Sequence, residues 1–465
     1  MLETTRIPEP VLVELRAIAG PENLRLAPGE LAVYARDATP LFWGMPEAVV
    51  APADTEQVAR ILRLATEHRI PVIPRGAGSN LCAGTVPLAG GIILSTVRMD
   101  RILEVAPEEL LIRAQTGVTT RALNDAAAAH GLFYPPDPGS HTVSTIGGTV
   151  ATCAGGLRGL KYGVTRNYVL GLTVALPTGE IIQTGGRLWK DVAGYDLTRL
   201  LTGSEGTLGV ITEVTVSLLP KPPVSRTGLA YFGSLADAGR AVSGILAAGV
   251  LPSTLEFLDR SCMDAVEQYA HLGLDPRAGA LLLFGDDGDA AVVARSFEAI
   301  AAACTDCGAL AVQTAGDVTE SEALLTARRC TLPALSRLGS LTILEDASVP
   351  RPRLAEMVAR IGTIAARHQV MIATFGHAGD GNLHPTCILE SAADTEGIAQ
   401  AERAFAEIFR TAIELGGTIT GEHGVGAAKL PYLKERLGCE QIDLIRRIKM
   451  AFDPAGILNP GKLGS

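Results

Sequence analysis

Three of the chain's eight histidines lie in two short glycine-rich motifs, and one of these three is next to an acid, Glu422. FGHAGDGNLH carries His377 and His384, and TGEHGVG, further along the chain, carries Glu422 and His423. Two neutral imidazoles and a carboxylate form a set that suits Zn, Fe or Mn and leaves coordination positions open for a substrate. His423 is then left as a proton acceptor. A lone histidine is more often a hydrogen-bonded core residue, but four such residues in two motifs favour a metal or catalytic site.

The first motif must lie on elements that bring its histidines together. Two apolar segments, VMIATF and LHPTCIL, flank its glycine-rich centre, and this pattern predicts a β-hairpin. His377 and His384 would lie at the two mouths of the turn, where facing positions are close enough to share one ion.

Length, charge and cysteine spacing restrict the class of protein. A chain of 465 residues indicates two or three domains. A net charge of −10 without any Lys/Arg run argues against nucleic acid or an anionic membrane surface as a partner. No signal-peptide pattern and no apolar run of about 18 residues is found, so we expect a cytoplasmic protein with no transmembrane segment. The CxxC pair, Cys304 and Cys307, has no second pair for zinc.

The order of predicted elements changes along the chain. Between residues 47 and 220, short β-branched runs alternate with helical stretches in an α+β pattern, and Thr55 is predicted to cap one of the helices. Pro220, Pro222 and Pro223 then interrupt any strand and suit a linker. Strands and long helices follow, which predicts helices packed on an antiparallel sheet.

A glycine-rich loop, PRGAGSNLCAG at 74–84, follows the predicted strand PVIP. Its glycines allow backbone N–H groups to converge on an anion such as a pyrophosphate, although the loop alone fits a tight turn equally well. A Rossmann motif would need a helix directly after the glycines, whereas the strand GGIILST comes first. Two more glycine-dense stretches, at 135–163 and 194–212, indicate a long ligand lying along the backbone.

These motifs together resemble the FAD-binding fold of the vanillyl-alcohol oxidase superfamily, in its D-2-hydroxy-acid dehydrogenase and glycolate oxidase FAD-subunit branch. The resemblance covers almost the whole chain and is carried by PRGAGSN, PPDPGS, STIGG with CAGG, TGSEGTLGVIT, GHAGDGNLH, GEHGVG and FDPAGILNPGK. It implies an α+β fold class with a PCMH-type FAD-binding domain of two α+β subdomains. A ferredoxin-like antiparallel-sheet cap domain for substrate and a C-terminal helical segment would complete the chain.

The resemblance places the domain boundaries as follows. The FAD-binding domain would span 1–221, with its core from about 43 to 221, and the cap domain with the metal-site hairpin would span 222–415. The segment 416–465 would carry GEHG and return to the FAD domain.

Noncovalent FAD is the implied cofactor, because relatives that tether FAD use a His in or near the first loop, where this chain has Ser79 and Asn80. At Thr152 relatives often have Asn, so one hydrogen bond near the flavin is not expected here. The residues implied for FAD binding are Arg75, Gly76, Ala77, Gly78, Ser79, Asn80, Pro138, Gly139, Ser140, Ser144, Thr145, Gly147, Gly148, Thr152, Gly155, Glu205, Gly206, Gly209 and Ile211.

For the second region the resemblance implies one divalent metal, Zn, Fe or Mn, bound by His377, His384 and Glu422, with His423 as the base. Arg328 matches the arginine that receives the substrate carboxylate in relatives, and a guanidinium fork suits a carboxylate better than Lys. Arg329 is the alternative for this role.

The implied reaction is oxidation of a small D-2-hydroxy acid, such as glycolate or D-lactate, to the 2-oxo acid. Relatives that act on 2-hydroxyglutarate carry a Lys where this chain has Leu344, so a 2-hydroxy monocarboxylate is favoured. Electrons would pass to an external acceptor, which would be an acceptor protein, a quinone, or iron–sulfur and FAD partner subunits. Binding to such partner subunits would also place the chain at the periphery of a membrane.

Four other readings stay open at this point. They are a D-2-hydroxyglutarate or D-malate dehydrogenase of the same family, a noncatalytic FAD electron-relay subunit, a non-redox FAD synthase of the same fold such as an ether-lipid synthase, and a metal hydrolase without flavin.

Overall fold

A computed structural model describes residues 7–464, apart from the side chain of Val318. The described chain falls into two compact units. The first unit comprises residues up to Ala154, Val164–Lys221 and the residues from Glu422 onwards. The second unit comprises Gly155–Gly163 and Pro222–Gly421.

The first unit contains two larger sheets and one short strand pair. The smaller sheet has the order β1-β2-β4-β3, with β2, β3 and β4 parallel to one another, and the five-stranded antiparallel sheet has the order β5-β6-β10-β8-β9. The strands of the first unit are β1 (Leu24–Arg25), β2 (Ala48–Val50), β3 (Val72–Arg75), β4 (Ile92–Ser95), β5 (Ile102–Ala106), β6 (Leu111–Gln115), β7 (Leu132–Phe133), β8 (Val169–Ala175), β9 (Ile181–Gly185), β10 (Val210–Ser217) and β11 (Leu219–Pro220). The short strand pair consists of β7 and β11.

Helices cover the apolar faces of these sheets. The first unit has α1 (Glu9–Ala19), α2 (Pro28–Ala32), α3 (Thr55–Glu67), α4 (Thr120–Ala128), α5 (Ile146–Thr152), α7 (Leu197–Leu201), α15 (Leu430–Leu437) and α16 (Cys439–Phe452), with 3₁₀ turns at Pro21–Asn23, Pro107–Glu109 and Thr165–Asn167. In α3, Val58, Ile61 and Leu62 are fully buried in a core shared with α1 and the smaller sheet, as helical spacing of apolar residues predicts.

The predicted cap of α3 is wrong by one residue. Asp54, not Thr55, is the N-cap, and its carboxylate accepts a hydrogen bond from Gln57 N at 2.9 Å. Thr55 is the first helical residue, and its hydroxyl instead hydrogen-bonds to the Thr212 hydroxyl at 3.0 Å. A carboxylate is the stronger acceptor for the unpaired amides of a first helical turn.

The second unit is built on one antiparallel sheet with the order β15-β12-β14-β13-β18-β19-β16, and β17 pairs with β19. Its strands are β12 (Val224–Phe232), β13 (Thr254–Asp259), β14 (Ala280–Gly288), β15 (Ala309–Thr314), β16 (Leu341–Leu344), β17 (Ala347–Ser348), β18 (Met371–His377) and β19 (Asn382–Leu389). Its helices are α6 (Gly159–Tyr162), α8 (Leu235–Ala247), α9 (Arg260–Ala270), α10 (Ala290–Asp306), α11 (Val318–Arg329), α12 (Thr331–Leu335), α13 (Leu354–His368) and α14 (Thr395–Glu414), with a 3₁₀ turn at Arg351–Arg353.

The α+β class predicted from the sequence is confirmed in both units. The predicted interruption falls between β11, which ends at Pro220, and β12, which begins at Val224. Pro220 itself pairs with Leu132 in a two-stranded ribbon, so the interruption begins at Lys221, one residue after the first proline.

A short segment, Gly155–Gly163, belongs to the second unit although residues on both sides of it belong to the first. Lys161 Nζ lies 2.7 Å from carboxylate oxygens of both Asp286 and Asp287, and the Tyr162 hydroxyl donates to Asp287 at 2.6 Å. The two acids are buried at the end of β14, so this paired cation fixes the segment on the second sheet.

Cys304 and Cys307 lie at the C-terminal end of α10, and burial raises the pKa of the Cys304 thiol to about 12. Such a thiol is a poor nucleophile and metal ligand. None of the eight cysteines, all of which lie within residues 7–464, forms a disulfide. Among the described residues, no helix combines the length and apolar character that a bilayer crossing requires.

Candidate active site

The predicted hairpin is formed by β18 and β19 of the second unit, but its two histidines are not directly opposite each other. His377 pairs with Asn382, and His384 pairs with Phe375. Since His384 lies two residues beyond Asn382, the two imidazoles are diagonal neighbours on one face of the sheet. Their ring centroids are 5.0 Å apart at an interplanar angle of 87°, and both side chains are buried.

The turn of the hairpin explains one of the glycines in the motif. Gly381 has φ +77°, and a Cβ there would lie 2.1 Å from the carbonyl oxygen of Val349. Only glycine adopts this conformation without strain and leaves room for that neighbour. The motif therefore contains a glycine that folding requires in addition to the two histidines.

Glu256 on β13 contacts both the first histidine and the predicted substrate arginine. Its Oε1 lies 2.6 Å from His377 Nδ1, its Oε2 accepts from Arg328 Nε at 2.7 Å, and its side chain is fully buried. Sequence analysis missed Glu256. The available signal was an acid between the apolar residues Leu255 and Phe257 of a strand, because a buried charge needs partners.

The two candidate arginines occupy different environments. Arg328 is 14% exposed, and its guanidinium carbon lies 4.6 Å from the centroid of the Phe375 ring, next to His384 in the same sheet. Arg329 is 53% exposed and pairs with Glu322 on its own helix. Of the two, only Arg328 lies beside the histidine pair.

One ligand atom from each of His377, His384 and Glu422 lies within 4.8 Å of the other two. Ligand atoms about 2.1 Å from a shared ion can be up to ~4.2 Å apart, so small side-chain movements would let the three bind one ion. Two imidazoles and a carboxylate are a donor set that fits a divalent transition metal.

Asp346 holds the chain immediately before Glu422. Its carboxylate accepts from Gly421 N at 2.7 Å and from the Thr420 hydroxyl at 3.0 Å, and it is fully buried. Gly421 is the last residue of the second unit, so that unit fixes the chain up to the peptide bond that leads into Glu422. The sequence motifs assigned no role to Asp346.

In the first unit, the predicted pyrophosphate loop packs against the segment that precedes α5. A Cβ on Gly76 would lie 2.1 Å from the Thr145 hydroxyl, which itself caps α5 by accepting from Gly148 N. A Cβ on Gly147 would lie 1.5 Å from the hydroxyl of Thr116. These two glycines are therefore required by packing within the protein.

Gly139 and Gly148 are different, because a Cβ on Gly139 would meet nothing within 4 Å and one on Gly148 would meet only the Thr145 hydroxyl at 3.2 Å. Open backbone of this kind fits a ligand lying along the loops. The glycine density that pointed to a dinucleotide thus has two sources, internal packing at some positions and open backbone at others.

Polar side chains of the first loop bind the protein itself. Arg75 donates to the carbonyl oxygen of Arg36 at 2.8 Å, and burial lowers its pKa. Asn80 accepts from Gly84 N at 2.8 Å and donates to Thr85 at 3.0 Å. Both side chains shape the loop from within.

Glu205 holds the GEHGVG segment inside the first unit. Its carboxylate accepts from Val425 N and from Gly426 N, both at 2.7 Å, although burial raises its pKa. The resemblance implies that Glu205 contributes to the FAD site, and its carboxylate is bonded to the backbone two and three residues beyond His423. Glu422 and His423 are both half-buried.

The other predicted cofactor residues are distributed as follows. Ile211 is buried on β10, Gly206 has φ +70°, Gly209 packs against Val174, and the Thr152 hydroxyl donates to Gly148 O at 3.2 Å. Gly155 belongs to the second unit, and the remaining ones lie in loops or helix starts of the first unit: Ala77, Gly78, Ser79, Pro138, Ser140 and Ser144.

Comparison with known proteins gives matches over nearly the whole chain. Residues 221–463 match a family of FAD-linked oxidases through its C-terminal domain, and residues 46–185 match an FAD-binding domain. The glycolate oxidase subunit GlcD of Bacillus subtilis (strain 168) is 52% identical over 457 residues, which cover 98% of this chain and 97% of that protein.

A D-lactate dehydrogenase of Archaeoglobus fulgidus is 39% identical over 419 residues, with coverage of 89% of this chain and 90% of the relative. Among solved structures, p-cresol methylhydroxylase with substrate bound is similar with a TM-score of 0.83 and 18% identity, covering 98% of this chain and 96% of that one. At that identity the structural match supports the fold alone, and it agrees with the predicted FAD-binding architecture.

Proposed function

The chain belongs to the family of FAD-linked oxidases and is a FAD-dependent oxidoreductase, and from that premise we propose that it oxidises a small D-2-hydroxy acid to the 2-oxo acid. The observation that carries the proposal is the grouping of His377, His384 and Glu422 with Arg328 beside the same histidine pair. A metal-ligand set next to a buried guanidinium suits a substrate that carries a hydroxyl and a carboxylate on adjacent carbons. The named activities of the Bacillus and Archaeoglobus relatives support this substrate class.

Each cofactor has a chemical role that no side chain supplies. When bound, FAD takes up the C2 hydrogen with its electron pair, and a divalent ion of the Zn, Fe or Mn type lowers the pKa of the substrate hydroxyl. His377, His384 and Glu422 would hold the ion, and the loops around Gly139 and Gly148 would hold FAD without a covalent bond.

The chain's own residues bind the substrate and move one proton. Arg328 orients the substrate carboxylate through the outer N–H groups of its guanidinium, since its Nε is bonded to Glu256. His423 accepts the hydroxyl proton, a role that suits an imidazole near neutral pH. Loss of that proton and of the C2 hydrogen converts the alcohol carbon to a carbonyl.

Leu344 favours a monocarboxylate over 2-hydroxyglutarate or malate. It pairs with Thr386 across the sheet and packs against the apolar cluster that contains Phe375 and Ile388. No cation is supplied from this position, so a second substrate carboxylate would lack the partner that its desolvation requires. Glycolate and D-lactate are therefore the preferred substrates.

Electrons then pass to an external acceptor. The name of the Bacillus relative marks it as a subunit, which supports partner subunits as the acceptor in this case as well. A quinone or a separate electron-transfer protein is the alternative.

The test is anaerobic mixing of the purified protein with candidate substrates while the flavin absorbance is followed. Glycolate and D-lactate should bleach the flavin, L-lactate and D-2-hydroxyglutarate should do so far more slowly, and chelation should abolish bleaching until a divalent ion is restored. Bleaching by L-isomers alone would refute the proposal. No bleaching by any hydroxy acid would favour a non-redox synthase or an electron-relay subunit, and a purified protein without flavin would favour a metal hydrolase.

A further inference from the structure

Glu256 is the one residue of the described second unit whose carboxylate contacts both a proposed metal ligand and the proposed substrate arginine. It lies on β13, whose register places it directly opposite His377 on β18. A cross-strand pair in an antiparallel sheet brings the two side chains to one face at short range. The contact is therefore set by the backbone of two central strands.

The partners of Glu256 determine which atom of His377 faces the site. A carboxylate that accepts from the Arg328 guanidinium can only accept from His377 as well, so the Nδ1 atom of the imidazole carries the proton. Nε2 then has its lone pair available for an ion. Hydrogen bonds of this kind fix the orientation of metal-binding histidines and increase their basicity.

The same carboxylate fixes Arg328. It binds Nε, while the Phe375 ring lies against the guanidinium 4.6 Å from its carbon. With one edge bonded and one face stacked, the guanidinium has a single orientation. Its remaining N–H donors have a fixed direction toward an incoming carboxylate.

We infer that Glu256 is a positioning residue that couples the metal ligand His377 to the substrate anchor Arg328, so that one buried carboxylate sets the geometry of both. This inference rests on the proposed function. It predicts that a single change at Glu256 weakens both metal binding and substrate binding, although Glu256 touches neither.

The primary variant is Glu256→Gln. An amide has one acceptor oxygen and one donor nitrogen, so it can accept from His377 or from Arg328 but places an N–H group against the other. The affinity for Zn²⁺, measured by competition with a chromophoric chelator and without substrate, should fall about 10- to 100-fold. KM for the hydroxy acid that bleaches the wild-type flavin should rise about 10-fold or more, with a smaller loss of kcat at saturating Zn²⁺ and substrate.

The matched control is Asp259→Asn. Asp259 is a half-buried carboxylate on the same strand, but it accepts from Cys262 N and Thr374 N and so caps α9. Its loss should lower thermal stability while Zn²⁺ affinity and KM stay within about threefold of wild type. Equal losses of Zn²⁺ affinity in both variants would mean a general structural effect and would overturn the inference.

Glu256→Asp is the second variant, for use if Glu256→Gln does not fold. It keeps the charge, but its side chain is one methylene too short to reach both partners. Flavin content and circular dichroism verify folding.

A measurement on the wild-type protein does not depend on whether a Glu256 variant folds. A downfield imidazole N–H proton resonance should be seen in wild-type protein and should be absent in His377→Asn. The coupling would be overturned if a folded Glu256 variant kept both its Zn²⁺ affinity and its KM, or if only one of the two changed. The absence of that resonance in wild-type protein would also overturn it.

Failure of this inference is distinguishable from failure of the proposed function. If wild-type protein binds Zn²⁺ and is bleached by a D-2-hydroxy acid while the Glu256 variants behave as wild type, only the coupling is wrong. If wild-type protein is not bleached by any hydroxy acid, the proposed function is wrong, whereas the Zn²⁺ measurement still tests the contact with His377.

Discussion

The two units build their candidate sites from different parts of the chain. In the first unit the loops at Gly139 and Gly148 present open backbone, and the polar side chains of the first loop, such as Arg75 and Asn80, bond to the protein itself. The part of the site that lies in the second unit consists of side chains, on the strands that carry Glu256, His377 and His384 and on the helix that carries Arg328. Backbone sites depend on the absence of atoms at particular positions, whereas side-chain sites depend on the presence of particular atoms.

This difference predicts how each unit fails. A conservative substitution of one of the site's side chains in the second unit should impair catalysis or substrate binding while FAD stays bound. In the first unit the harmful substitutions should be those that add atoms.

His384→Asn should reduce turnover about 10³-fold or more, because the loss of a proposed metal ligand would remove several kcal/mol of charge stabilisation. The flavin spectrum and FAD content should stay those of wild type, because His384 lies in the second unit. Steady-state kinetics together with metal analysis measures the effect. If metal-free His384→Asn turned over at the wild-type rate, the reaction would not require a metal.

Arg328→Lys should raise KM about 10²-fold, because a lysine ammonium cannot bind a carboxylate with two parallel hydrogen bonds and cannot stack on Phe375 in the same way. Arg329→Lys is the matched control and should have almost no effect, since Arg329 is exposed and pairs with Glu322. The reverse order of effects would assign the anchor to Arg329.

Gly147→Ala should lower the free energy of unfolding by about 2 kcal/mol and reduce FAD content, because the added Cβ would collide with Thr116. Gly139→Ala is the control, since a Cβ there meets nothing within 4 Å and should leave the stability of the apoprotein unchanged. Loss of flavin from Gly139→Ala without loss of stability would locate the cofactor at this loop. Thermal denaturation and the ratio of flavin to protein absorbance measure both.

Lys462 should make stability depend on pH in the alkaline range. Burial lowers its pKa from 10.5 to about 8, and its ammonium donates to Val86 O at 2.9 Å. Between these two values the unfolded chain binds more protons than the folded chain, so the free energy of unfolding should rise with pH. Relative to Lys462→Met, the rise should be roughly 2 kcal/mol between pH 8 and pH 10. Parallel urea-denaturation profiles for the two proteins would contradict the lowered pKa.

Asp54→Ala should lower the free energy of unfolding by about 1 kcal/mol through loss of the α3 cap. Asp54→Asn should restore most of it, because an amide oxygen also accepts from the first turn. An unchanged free energy of unfolding in Asp54→Ala would assign the cap to Thr55. Urea denaturation of the three proteins measures the difference.

Local patterns determined much of this protein without any tertiary information. The alternation and glycine signals around His377 and His384 predicted the hairpin, because strand pairing and tight turns are decided within a few residues. The strand GGIILST directly after the first glycine-rich loop argued against a Rossmann unit, and the net charge argued against a nucleic-acid partner. Both inferences depend on residue types in the sequence alone.

Only the tertiary structure identified the residues that hold the site together. Glu256, Asp346 and Glu205 each lie far in sequence from the groups they bind, and nothing in their local sequence names those partners. Their partners are set by strand order in one sheet and by the packing of distant loops. A sequence window shows that a buried acid needs a partner, because desolvation of an unpaired charge is costly, but only the fold decides which partner it meets.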